Sequence, residues 1–166
     1  IIPSESMRDT LVNEYGLKNN FTVIPTGIDI ETYRTASGEK IRKKQRWEKD
    51  IVMVSIGRLA SEKNWPTLIH AAALVIRDFP HFRFVLIGDG MKRAETEKQV
   101  AASGLRNVLV LPPVPKDVAR LYINAADLCL VTLRDIPLFD GAIPTKLIDY
   151  MACGKAVLCG IRGEAE

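Results

Sequence analysis

Three stretches of the chain collect residue types suited to holding a phosphate ester. The first is Gly57-Arg58-Leu59, followed by Lys63. A glycine lets the backbone approach a ligand, an arginine forks onto phosphate oxygens, and a lysine adds a point charge. The second is Gly88-Asp89-Gly90, which taken alone reads as a tight turn. The third runs from Leu133 through Pro144-Thr145-Lys146 to Asp149. Proline is favoured at a helix start, because its missing N–H needs no partner there. Pro144 therefore predicts a helix whose first amides, at Thr145 and Lys146, are free to bind an anion. Those amides, the Lys146 ammonium and the Asp149 carboxylate would face one crevice. That is a site for a phosphate ester carrying hydroxyls.

Other chemistries find little support. No nucleophile–base set is visible, and His70 and His81 read as structural or surface residues. Cys129, Cys153 and Cys159 lie in apolar runs without metal-ligand spacing, so they read as buried free thiols in a reducing compartment, and no metal site is expected. The formal net charge of +3 is too small to argue for nucleic acid, but suits a pocket for an anion. No apolar run approaches the ~20 residues that span a bilayer, and no signal peptide is visible.

The elements that must position these residues follow from hydrophobic periodicity. The run Ile51–Ile56 is continuously apolar apart from Ser55, as in a strand buried on both faces. A helix over Thr67–Phe79, with Leu68, Ala72, Val75, Ile76 and Phe79 inward, leads to a strand over Phe82–Ile87. A helix over Met91–Ser103, a strand over Val108–Leu111, a helix over Asp117–Ala125 and a strand over Leu128–Leu133 follow. The helix after Pro144 carries an apolar stripe of Leu147, Ile148 and Met151, ends at Gly154, and leads to a short buried strand, Ala156–Leu158. Alternating strands and helices imply a parallel sheet with right-handed crossovers, and such doubly wound sheets bind ligands at the carboxyl ends of their strands. Before this unit, Ser6 would cap a helix that buries Met7, Leu11, Val12 and Tyr15 and ends at Gly16. Phe21–Ile24 reads as a strand, and Asp29–Asp50 as a solvated polar excursion.

The run IDYMACGKAVL resembles the end of the donor-site motif of family 4 glycosyltransferases, Glu-Ala-Met-Ala-x-Gly-x-Pro-Val. Those enzymes have the GT-B fold, two Rossmann-like domains facing across a cleft. Gly57-Arg58-Leu59 with Lys63 is similar to the family's Gly-Arg-Leu-x-x-x-Lys-Gly, whose Arg and Lys hold the donor pyrophosphate; Asn64-Trp65 departs from it. Gly88 and Gly90 match a Gly-x-Gly that makes room beside the nucleobase. Val23 to Asp29 resembles Val-Ile-Pro-Asn-Gly-Val-Asp, and Leu121-Tyr122 with Ala126-Asp127 matches a structural Tyr-x-x-Ala-Asp. Of the family's paired glutamates, the second aligns with Asp149, which would hold the ribose hydroxyls. The first falls on Gly141, so its contact with the transferred sugar is missing or comes from Asp135 or Asp140. The stretch from Arg134 to Lys146, with Gly163-Glu164-Ala165, resembles a subgroup that transfers N-acetylated amino sugars in bacterial surface-polysaccharide synthesis.

The resemblance implies one half of a GT-B fold: residues 1–166 as a single donor-binding domain excised from a longer two-domain enzyme. It implies a retaining transferase, with Arg58 and Lys63 in catalysis and Gly57, Gly88, Gly90, Pro144, Thr145, Lys146 and Asp149 binding the donor. The donor would be a nucleotide diphosphate sugar, UDP-linked in this subgroup, with no cofactor and no metal. Acceptor groups, and any contact with a membrane surface, would come from the missing N-terminal half, on the cytoplasmic side. A sugar-nucleotide epimerase of the same fold, with Asp135 or Asp140 abstracting a proton, and a non-catalytic nucleotide-binding module are the alternatives.

Overall fold

The computed structural model describes residues 1–18, 20–34 and 37–165. Residues 35 and 36 of the polar excursion, and Glu166 at the end of the chain, lie outside the described residues. The elements are α1 (Glu5–Asn13), α2 (Ile30–Arg34), α3 (Glu39–Gln45), β1 (Ile51–Ile56), α4 (Trp65–Asp78), β2 (Phe82–Ile87), α5 (Arg93–Ser103), β3 (Val108–Leu111), α6 (Lys116–Ala125), β4 (Leu128–Thr132), α7 (Thr145–Ala152) and β5 (Ala156–Gly160). The five strands form one sheet in the order β3-β2-β1-β4-β5, and every pairing is parallel. This is the doubly wound, Rossmann-like α/β fold that the sequence predicts.

Period-two side-chain alternation sends successive strand residues to two layers. Val52, Val54, Val85, Ile87, Cys129 and Val131 pack on one side with Ile41, Trp47, Tyr122, Ile123 and Tyr150. Met53, Phe84, Leu86 and Leu130 pack on the other with Trp65, Leu68 and Ala72. Both faces are covered, which is why the strands read as unbroken apolar runs. The chain winds from β1 through β2 to β3 in one direction, then returns to β4 and β5 on the other side of β1. The strand order therefore reverses between β1 and β4, and the crevice above their carboxyl ends is where such a sheet receives a ligand.

Several expectations need correction. Asp29–Asp50 is not a solvated excursion: it contains α2 and α3, and Tyr33, Ile41 and Trp47 are 4%, 8% and 1% exposed. Arg42, inside the basic run, is a clamp. Its guanidinium donates to Ala125 O at 2.8 Å, to Asp50 O at 2.6 Å and to the Asp127 carboxylate at 3.1 Å. Asp127 also accepts the Val52 N–H at 2.8 Å, so one carboxylate joins α3 to the start of β1. The first helix is capped by Ser4, not Ser6, with the Met7 N–H donating to Ser4 Oγ at 3.2 Å. Its expected stripe is largely on the surface, with Met7, Val12 and Tyr15 exposed. Phe21–Ile24 contributes one isolated bridge, Val23 to Ile2, and no strand. Phe79 and Met151 are exposed, and β5 is a half-buried edge strand running on to Gly160. Cys129 is fully buried, which pushes its thiol up to about 12, while Cys153 and Cys159 are half-buried; all three are free. Among the described residues no helix is long and apolar enough to cross a membrane.

Trp47→Ala tests the correction to the excursion. A buried tryptophan truncated in a core costs about 3–5 kcal/mol, whereas a surface residue changes stability by about 0.5 kcal/mol or less. Urea denaturation of the variant is expected to show the larger loss; a loss of the surface size would return this segment to the solvent.

Candidate functional site

The crevice between β1 and β4 opens into a cavity of about 370 Å³. Gly57 and Arg58, Lys63, and the run of Pro144, Thr145, Lys146 and Asp149 all line it. Seven of the nine residues singled out in the sequence thus meet at one place. Gly88 and Gly90 do not line it. They sit behind the loop that follows β1, where a Cβ on Gly88 would lie 1.9 Å from Gly57 O and one on Gly90 2.4 Å from Leu59 O. Both glycines also have φ near +150°, which L side chains rarely adopt. The two loops are stitched by Gly57 N–H to Ile87 O at 2.9 Å and Leu59 N–H to Asp89 O at 2.7 Å. The glycine pair therefore makes room for backbone and fixes the height of the Gly57-Arg58 loop.

Helix α7 forms the opposite wall. Pro144 is its N-cap, at φ −63° and ψ 127°, and the helix closes at Gly154, in the left-handed region with φ 66°. Its position over β1 is set by Tyr150, whose fully buried hydroxyl accepts the Ile56 N–H at 2.8 Å. Burial raises that phenol's pKa well above its ordinary range, so it stays neutral. The long loop before α7 is anchored too: Arg134 N–H donates to Glu62 O at 2.7 Å, and Thr132 Oγ1 donates to Lys63 O at 3.2 Å.

Within these walls the charges are unevenly satisfied. Lys146 Nζ reaches down to Ser55 Oγ at 3.5 Å. Burial, and then the nearby Lys63 ammonium, lower its pKa from the ordinary 10.5 to about 7. Lys63 is itself lowered, first by burial, with Glu62 opposing and Arg58 adding to the effect. Arg58 is 77% exposed and holds Glu62 at 3.3 Å, a surface pair worth about 0–1 kcal/mol that a ligand can displace. Asp149 does not balance Lys146 on a solvated face; Tyr33 donates its hydroxyl to Asp149 Oδ1 at 2.7 Å. Arg58, Lys63 and Lys146 thus border one side of the cavity, with the Asp149 carboxylate further along α7.

Lys116, Arg120 and Tyr33 line the same cavity and were not singled out in the sequence. Lys116 and Arg120 stand i,i+4 at the start of α6, which follows the carboxyl end of β3, so their spacing carried a usable signal. Tyr33 carried none, because it belongs to the segment read as solvated. Asp135 and Asp140 fall instead in a neighbouring cavity of about 310 Å³ with Arg134 and Arg162. Asp135 faces Arg162 at 3.5 Å, and Asp140 O accepts the Glu164 N–H at 2.8 Å. Gly141 packs against the start of α1, where an added Cβ would come within 3.2 Å of Ser6 Oγ.

A doubly wound sheet with a cationic crevice at its switch point defines a nucleotide-binding type of α/β domain. Comparison with known proteins is more specific. The family model "Glycosyl transferases group 1" matches residues 37–164, so the chain belongs to that family. It is 32% identical over 149 residues to 2-deoxystreptamine glucosyltransferase of Streptomyces kanamyceticus, covering 86% of this chain and 38% of that protein. It is 27% identical over 165 residues to D-inositol 3-phosphate glycosyltransferase of Geodermatophilus obscurus, covering 92% and 36%. The structure of Anabaena Alr3699/HepE in complex with UDP-glucose superposes with a TM-score of 0.83 at 24% identity, covering 99% of this chain and 45% of that one. The chain spans somewhat more than a third of the length of these two curated relatives.

The lowered pKa of Lys146 makes it a liability to the empty fold. The folded pKa lies below the unfolded one, so the unfolded state binds more protons between pH 7 and 10.5 and stability rises with pH across that window. Lys146→Met is expected to raise the melting temperature at pH 6–7 and to flatten this rise. Thermal melts from pH 6 to 9.5 check it; a variant no more stable than the parent, with an unchanged slope, would show that the ammonium is well solvated.

Proposed function

We propose that this chain is the donor-binding domain of a retaining glycosyltransferase that moves a sugar from a UDP-linked donor to a glycan or lipid-linked acceptor. The observation that carries the reading is the pair Lys63 and Lys146, two partly buried cations that line one cavity beside the exposed Arg58, where burial and then the Lys63 charge lower the Lys146 pKa. Such a cluster suits a diphosphate. Arg58 and Lys63 neutralise the charge that develops as the diphosphate leaves, Lys63 from a partly buried position and Arg58 by exchanging Glu62 for the ligand. The Thr145 and Lys146 amides add the helix dipole. Asp149 accepts from the ribose hydroxyls, and Gly57 lets the phosphates approach the backbone. With the charge met by side chains and a helix end, the reaction needs no metal. HepE's UDP-glucose and the glucosyl transfer named for the Streptomyces relative support a UDP-hexose class of donor. The stretch around Arg134–Lys146 favours an N-acetylated amino sugar for a bacterial surface polysaccharide.

The acceptor site, on this reading, belongs to an N-terminal domain that the longer relatives have room for, and the transfer takes place in the cytoplasm, with any membrane contact made through that domain. The chain alone then turns over no sugar nucleotide. The epimerase alternative gains no observation, since Asp135 and Asp140 lie outside the main cavity.

Calorimetry with UDP and UMP tests the assignment. Charge-assisted hydrogen bonds are worth about 1.5–3 kcal/mol, so UDP should bind at least about tenfold more tightly than UMP. Equal affinities would remove Arg58 and Lys63 from a phosphate site. The pH dependence provides a second test. A bound diphosphate raises the pKa of Lys146 from about 7, so binding takes up a proton and affinity for UDP should fall from pH 7 to pH 9. Titrations in buffers of different ionisation enthalpy measure that uptake; none at pH 8 would place the diphosphate away from Lys146.

A further inference from the structure

Tyr33, on the short helix α2, is 4% exposed, and its hydroxyl donates to Asp149 Oδ1 at 2.7 Å across 116 residues of sequence. The ring is held from the other side by Arg120, whose guanidinium carbon lies 4.7 Å from the ring centroid. A cation over an aromatic face at this distance is attractive. Asn124, one turn further along α6, directs its amide to Tyr33 O at 3.5 Å. Helix α6 therefore holds Tyr33 of α2, and Tyr33 in turn bonds the Asp149 carboxylate of α7 at the wall of the cavity.

An aspartate on a helix surface ordinarily samples several rotamers. Here the phenol occupies one lone pair of Oδ1, which leaves Oδ2 and the second lone pair of Oδ1 for a ligand. A carboxylate pinned in this way presents two acceptors with fixed spacing, which matches a pair of vicinal hydroxyls. We propose that Tyr33 is a positioning residue: it orients Asp149 to accept both hydroxyls of a ribose cis-diol, and Arg120 holds Tyr33 in place. The proposal rests on Asp149 as the ribose contact and adds how that contact is held and why ribose is preferred to deoxyribose. Burial, with the bond to Asp149 and its charge, raises the Tyr33 pKa, so the phenol remains a donor at neutral pH.

Tyr33→Phe removes the hydroxyl and keeps the ring under Arg120. Calorimetry with UDP and with 2′,3′-dideoxy-UDP, on the parent chain, Tyr33→Phe and Asp149→Asn, separates the possibilities. The expected result is a three- to tenfold weaker UDP affinity in Tyr33→Phe, about the net value of one hydrogen bond, with unchanged affinity for the dideoxy ligand. Asp149→Asn should show the same pattern with a larger loss, and the double variant should be no weaker than Asp149→Asn alone. If Asp149→Asn loses UDP selectively but Tyr33→Phe does not, the positioning role fails and the ribose contact stands. If Tyr33→Phe weakens both ligands equally, Tyr33 only supports the wall of the cavity and the proposal is overturned. If Asp149→Asn weakens both equally, the ribose reading fails and the proposal fails with it.

Discussion

The carboxyl end of the sheet is built around an ammonium group that the empty fold disfavours. Lys146 is held beside Lys63 where solvent reaches it poorly, and its pKa near 7 expresses the strain of that placement. Taking a charge out of water is expensive unless it is paired. Among the described residues Lys146 has no carboxylate partner within salt-bridge distance, only the neutral Ser55 hydroxyl. The rest of the fold must hold it there. Tyr150 fixes α7 to the end of β1, the Arg134 and Thr132 bonds fix the incoming loop, and the Gly88 and Gly90 contacts fix the floor. Each of these ties together segments that are far apart in the chain. Together they oppose the outward movement of α7 that would relieve the two lysines.

That arrangement divides the work of recognition. The cations provide an attraction that depends on pH and is screened by salt only to the extent that they remain exposed. Arg58, at the rim, can trade Glu62 for a ligand at little cost, whereas Lys63 and Lys146 are preorganised and partly desolvated. On the proposed reading the hydroxyl-reading end, Asp149 further along α7 with Tyr33 and Arg120 behind it, depends on geometry more than on net charge. On that reading α7 would carry a charged, unselective contact at its first turn and a directional one at Asp149.

Much of this was legible in the sequence because it is local. The apolar runs of β1 and β2 are buried on both faces and read as strands at once. Pro144 and Gly154 bracket α7 within two residues of the observed ends. Gly57, Arg58, Lys63, Lys146 and Asp149 could be brought together because strand ends in a parallel sheet converge. The segment from Asp29 to Asp50 failed for the opposite reason. Its two helices are short, and its buried residues, Tyr33, Ile41 and Trp47, are isolated among charged neighbours with no period to detect. Arg42 looked like one of several solvated cations until the carbonyls of Trp47, Asp50 and Ala125 were seen to converge on it. Such roles depend on contacts between residues far apart in the chain.

The Gly88-Asp89-Gly90 turn shows how a motif can be found for one reason and retained for another. Its glycines suggest room beside a ligand, yet the space they leave is filled by the Gly57 and Leu59 carbonyls. Their influence on the cavity is one step removed. Any Cβ at Gly88 would clash with the Gly57 carbonyl and so displace the loop that carries Arg58 and leads to Lys63. The separation of Lys63 from Lys146 is thus set partly by two residues that touch neither. A site that holds a buried ammonium close to a second cation needs that kind of backing. Were the loop free to move, Lys63 would no longer be held at the wall facing Lys146, and the preorganised attraction for an anion would weaken.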